Sequence, residues 1–230
     1  MVYVNFLANA LPINNRSTGE ISDSYPNLFA PFGFTFAIWG VIYIFLGLFV
    51  LNQFLIKKEN RLFRKINLLF ILTCILNVIW IFSWHYDFIA LSVIIMLGLF
   101  FTLMKIVLIS QKEKFLISTP FSIYFGWISI ALIANIAVFL VSISWNGFGI
   151  PDYIWTVIVL IIGSVIGVLR LIKDKDIAYG LVFVWAYFGI LSKHLSSDGF
   201  NFNFPSIVYT LIVSMLLFLF FIFESIKHKG

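Results

Sequence analysis

The chain alternates long, unbroken apolar runs with short polar segments. Seven runs predict membrane-spanning helices, near Phe34–Ile56, Ile66–Trp84, Phe88–Ile109, Thr119–Ser144, Tyr153–Ile172, Ile177–Leu195 and Ser206–Ile226. Each is close to the roughly 20 residues an α-helix needs to cross a hydrocarbon core about 30 Å thick. A transmembrane β-barrel would instead show segments of ~10 residues with alternating polarity. The predicted fold class is all-α, a polytopic transmembrane helical bundle. The opening stretch Met1–Leu11 is also apolar, but as a helix it would reach only about 17 Å. No basic region precedes it, as one would in a signal peptide. It reads as the end of a first spanning helix truncated at Met1, the rest of which an upstream reading frame would encode.

One polar stretch stands out. Ser22–Tyr43 begins as a turn-rich loop and runs through aromatics into the first complete apolar helix. Pro26 and Pro31 push the residues before them out of helical geometry, so the loop is shaped. From Phe34 onward no helix breaker follows, and Trp39 and Tyr43, four apart, share one face. Such a segment suits either a lid over an apolar ligand or an aromatic belt at the membrane interface.

Charge adds topology. Hydrophobic residues make up 62% of the chain and charged residues 11%, against about 25% charged in a soluble domain. Of the 15 Lys and Arg residues, 13 fall on one side if the seven runs alternate. They are Lys57, Lys58, Arg61, Arg64 and Lys65, then Lys105, Lys112 and Lys114, then Arg170, Lys173 and Lys175, and finally Lys227 and Lys229. Only Arg16 and Lys193 face the other side. The positive-inside rule then puts the C-terminus in the cytoplasm and the Ser22–Tyr43 loop outside. The bias suits a bacterial plasma membrane, while Asn15-Arg16-Ser17 is a glycosylation sequon should the host be eukaryotic. The +5 net charge lies in short loops beside a bilayer, so it implies membrane lipid as partner and no nucleic acid.

Candidate chemistry is sparse. No acidic or basic residue falls at the middle of a span, which disfavours ion-coupled transport; Lys105, Arg170 and Lys193 can snorkel to the interface. Cys74 has no Cys or His partner at metal spacing, His85, His194 and His228 are scattered at span ends, and no catalytic triad motif or phosphate-binding loop appears. No cofactor is required. What remains within the spans is amide and aromatic chemistry: Asn77 and Trp80 in one run, and Trp127, Ala131 and Asn135 along one face of another. An amide in hydrocarbon either clamps helices together or orients an apolar ligand. Gly163 and Gly167 form a small-xxx-small pair suited to close internal packing or to dimerisation.

Four ordered motifs together resemble the TspO family, the tryptophan-rich sensory proteins and mitochondrial translocator proteins. They are a Tyr-x-x-Leu-x-x-Pro loop from Tyr25 to Pro31, the Trp39–Tyr43 pair, Leu-Asn-x-x-Trp from Leu76 to Trp80, and Tyr-x-x-Trp-x-x-x-Ala-x-x-x-Asn from Tyr124 to Asn135. The resemblance covers residues 1–144, with the opening segment as the first of five core helices; residues 145–230 add three helices that the five-helix family lacks. Thr73, Ile123 before Tyr124, and a loop without Lys-Pro or double proline depart from the usual pattern.

The resemblance implies a bundle that often dimerises, with a lid closing a pocket for a small apolar ligand, a porphyrin or haem-like tetrapyrrole. The pocket residues it implies are Trp39, Tyr43, Asn77, Trp80, Trp127, Ala131 and Asn135, with Tyr25 and Pro31 from the lid. With this pocket beneath it, the loop reads as lid rather than belt. The resulting expectation is a ligand-binding membrane protein acting as sensor or carrier. Two alternatives are a photo-oxidative porphyrin-modifying enzyme and a structural, lipid-interacting protein whose amides only hold helices together. Trp155 and Trp185, in the added helices, read as packing or belt residues.

Overall fold

The computed structural model describes residues 1–10, 13–55 and 61–227. The expected helix end at Ile56, the basic residues Lys57, Lys58 and Lys229, His228 and the opening segment's Leu11 lie outside the described residues. Among those described, the secondary structure is helical throughout, with seven helices long and apolar enough to cross a membrane.

The opening segment forms a nine-residue helix, α1 (Val2–Ala10). A short α2 (Thr18–Asp23) follows, capped by Ser17 and Glu20. The spanning helices are α3 (Ile38–Leu55), α4 (Arg61–His85), α5 (Ile89–Ser110), α6 (Phe115–Ser142), α7 (Asp152–Asp174), α8 (Ile177–Leu195) and α9 (Pro205–Lys227). Three helix starts differ from the hydropathy reading by four or five residues, α6 beginning at Phe115 rather than Thr119. Helix α4 begins five residues early because Arg61–Lys65, although basic, contain no helix breaker. At α3, residues Gly33–Ala37 form a tight 3-10 turn rather than the first turn of the α-helix. There the backbone is held from outside: the Phe32 N–H donates to the Gly189 carbonyl at 3.1 Å, and the Trp185 indole N–H donates to the Thr35 carbonyl at 2.9 Å.

Helix α6 is the hub. It packs on α3, α5 and α8, and every residue from Phe121 to Ile130 is buried. Gly126 permits its close approach to α8, since a Cβ there would lie 3.0 Å from Val182 Cβ. On one side α5 links α6 to α4, against which α1 and α2 rest; on the other, α8 links it to α7 and α9. Gly163 and Gly167 work within the chain: a Cβ at either would press on Tyr187 or Phe218, of α8 and α9. Arg170 does not snorkel. It pairs with Asp174 at 3.4 Å and Asp176 at 3.3 Å and lies against the rings of Phe125 and Tyr179. Two carboxylates and two π-faces offset its desolvation, so it stays at the junction of α6, α7 and α8.

Candidate functional site

The nine sequence-derived residues sort into three groups around α4 and α6. The first is a hydrogen-bonded knot. Asn135 is 1% exposed; its Oδ1 accepts from Trp80 Nε1 at 3.0 Å and its Nδ2 donates to Ser92 Oγ at 2.8 Å. Ser92 passes its own proton to the Ile89 carbonyl at 2.7 Å. The knot joins α4, α5 and α6, with Trp80 stacked on Trp84 at 5.7 Å. Every polar atom in it has a partner. Interhelical bonds of this kind are worth about 0.6 kcal/mol each and at most about 1.7.

The second group is an aromatic cluster in which partners run out. Trp39 stacks on Tyr43 at 5.7 Å and meets Tyr124 and Trp127 edge-on at 5.8 and 6.3 Å. Fully buried Asn77 accepts from Asn5 Nδ2 of α1 at 2.6 Å. The Tyr124 hydroxyl lies beside Asn77 and donates to Met1 Sδ at 3.6 Å. Yet the Tyr43 hydroxyl, the Trp127 indole N–H and the Asn77 Nδ2 are buried with no hydrogen-bond partner among the described residues. All three can donate. Burying such a group unpaired costs about 1–3 kcal/mol, so three in one cluster are a substantial local penalty. Ala131 is half-buried one turn beyond Trp127, its face packed on the core.

The third group is the lid, Ile13–Ala37, which is fastened on both sides. Toward α4 and α5, Tyr25 donates to Asp87 at 3.2 Å, and Arg16 forms an ion pair with the same carboxylate. Desolvation, then the Asp87 charge, pushes the Tyr25 phenol above its usual range. Buried His85 bridges the lid's start, with Nδ1 at 3.0 Å from the Ile13 carbonyl and Nε2 at 3.2 Å from Thr18 Oγ1. Toward α8, His194 Nε2 donates to the Leu28 carbonyl at 2.9 Å, and Lys193 pairs with Asp23 at 2.8 Å. Thr35 fits only because residue 189 is glycine: a Cβ there would lie 2.0 Å from Thr35 Oγ1. Asn27 folds the middle of the loop by bonding the Tyr25 carbonyl and the Phe29 N–H. Pro31 is buried beneath it.

Sequence reasoning missed His85, His194, Gly189 and the anchoring role of Trp185. A lone histidine or glycine at a span end carries no spacing signal, and these four act on backbone atoms brought near by the fold. Among the described residues two clefts lie elsewhere: one of about 750 Å³ between α3, α6 and α8, and one of about 530 Å³ between α7 and α9. None of the nine lines either.

Seven apolar spans with a covered cluster of aromatics and amides define an integral membrane protein of the polytopic α-helical class. Compared with known families, the chain matches the TSPO-like protein family over residues 1–223, and it belongs to that family. The match takes in the last three helices as well as residues 1–144, which carry the motifs. No curated protein and no solved structure matches the chain.

Proposed function

We propose that this TSPO-like membrane protein binds a flat, apolar ligand bearing hydrogen-bond acceptors, of the porphyrin or haem type, in the Trp39–Tyr43–Asn77–Trp127 cluster, as sensor or carrier. The observation that carries this is the convergence, in one aromatic cluster beneath a fastened loop, of three buried donors without partners among the described residues. Indole and phenol faces suit a conjugated macrocycle, and the Trp127 N–H, the Asn77 amide and the Tyr43 hydroxyl suit its acceptor substituents. None of the cluster's residues lines either cleft, so binding a bulky macrocycle requires a neighbouring element to yield. Helix α1, held to α4 through Asn5 and Asn77, is the element best placed to do so. Trp80 and Asn135 serve this site indirectly, by fixing α4 against α6.

The charge distribution supports an orientation with the basic turns and the C-terminus in the cytoplasm and the lid outside, in a bacterial plasma membrane. In this arrangement residues 145–230 brace the lid through α8. The test is tryptophan-fluorescence titration of the purified protein with protoporphyrin IX and with haem. Saturable quenching at micromolar ligand is expected; its absence for both ligands would overturn the proposal.

A further inference from the structure

The crevice between α3, α6 and α8 has an architecture of its own. Helices α3 and α8 both lie on α6, and at one end they are tied together through the Trp185–Thr35 and Phe32–Gly189 hydrogen bonds. Away from that tie the space between them, about 750 Å³, is not filled by side chains. Its walls are apolar for most of their length, formed by Ile38, Val41, Phe45, Ile123 and Leu181. Polar groups gather at the far end: Gln111, Ser118 and Thr119, and the turn Asp174–Asp176. A slot that is closed at the top, apolar along its side and polar at its foot has the polarity profile of an amphiphile.

Charge selects the headgroup. Asp174 and Asp176, the acidic residues lining the foot, are both engaged by Arg170 at 3.4 and 3.3 Å. Around them the two turns carry exposed Lys112, Lys114, Lys173 and Lys175 with Glu113 between the first two. The balance there is basic, and juxtamembrane lysines of this kind attract anionic lipid. We infer that this crevice is a lipid site: one acyl chain of an anionic phospholipid lies along α6 between α3 and α8, its phosphate at the turns carrying Lys112, Lys114 and Lys175. The site is separate from the aromatic cluster and does not depend on a ligand there.

The test is native mass spectrometry of delipidated protein in neutral detergent, with phosphatidylglycerol, phosphatidylcholine or inorganic phosphate added. Phosphatidylglycerol should be retained as a single bound lipid about tenfold more tightly than phosphatidylcholine, a difference of about 1.4 kcal/mol, and phosphate alone should not protect against thermal unfolding. Ala178→Phe, which fills the crevice, should abolish the retention. Val41→Phe, whose wild-type side chain is 45% exposed, should do the same without disturbing the core. Replacing Lys112 and Lys114 together by Gln should shrink the preference between the two lipids while leaving the chain bound. Equal retention of the two lipids by the wild type, unchanged retention in Val41→Phe, or protection by phosphate alone would each overturn the assignment.

Discussion

Asn77 and Asn135 are the same side chain in the same apolar setting, on helices α4 and α6, and both are essentially inaccessible. Asn135 has each end of its amide occupied, by Trp80 and by Ser92. Asn77 has its oxygen occupied by Asn5 and its nitrogen left over, in a cluster where Tyr43 and Trp127 also lack partners among the described residues. A buried amide that only clamps helices settles into a satisfied network, as Asn135 does. One that keeps a bare donor within an aromatic cluster has the character of a contact awaiting an acceptor. The sequence motifs grouped the two amides together; their surroundings separate an amide with both ends occupied from one with a donor to spare among the described residues.

The largest effect expected from this difference is on stability at the knot. Asn135→Ala leaves the Trp80 indole N–H without an acceptor and should destabilise the bundle by about 1–3 kcal/mol, measured as unfolding in mixed micelles. Next, Asn77→Ala removes little more than its bond to Asn5, so it should cost no more than about 1.7 kcal/mol while weakening porphyrin binding at least tenfold. A loss at Asn77 as large as that at Asn135 would erase the distinction. The tryptophans give a finer version of the same contrast. Trp80→Phe breaks a hydrogen bond and Trp127→Phe does not, so Trp80→Phe should be the less stable variant by about 0.5–1.5 kcal/mol.

The smallest effect concerns the lid over both groups. The Glu20 carboxylate accepts from the Ser17 N–H at 2.6 Å, which holds it below the usual carboxylate range. A depressed acid stabilises the fold above its unfolded pKa and loses that contribution as pH falls through the folded value. Acidification should therefore lower the amide protection factors of Thr18–Asp23, taken relative to the intrinsic exchange rate at each pH, before it affects those of the spanning helices. Uniform changes in protection across the chain would contradict that.

Much of the architecture was legible because membrane-spanning length and continuous hydropathy are local properties. Helix α8 begins and ends where its apolar run does, at Ile177 and Leu195. What could not be read were features set by tertiary neighbours. The 3-10 turn at Gly33–Ala37 exists because α8 supplies Trp185 and the Gly189 carbonyl. Arg170 stays inside because, beyond its own-helix partner Asp174, Asp176 past the helix end and the rings of Phe125 on α6 and Tyr179 on α8 come to it. The aromatic pairing of Trp39 with Tyr43 followed from their i,i+4 spacing, whereas the different fates of Asn77 and Asn135 depended on Ser92 and Asn5, which no motif contains.

The central claim is that the partner-poor cluster, rather than the satisfied knot, receives the ligand. Its most direct test compares protoporphyrin IX affinity in the wild type and in the Trp39→Phe/Trp127→Phe double variant, followed by absorbance shift of the porphyrin so that the loss of two fluorophores does not confound the reading. A drop of at least tenfold, with the melting temperature of the bundle nearly retained, is the predicted result. Unchanged affinity in the double variant would place the ligand elsewhere and contradict the account.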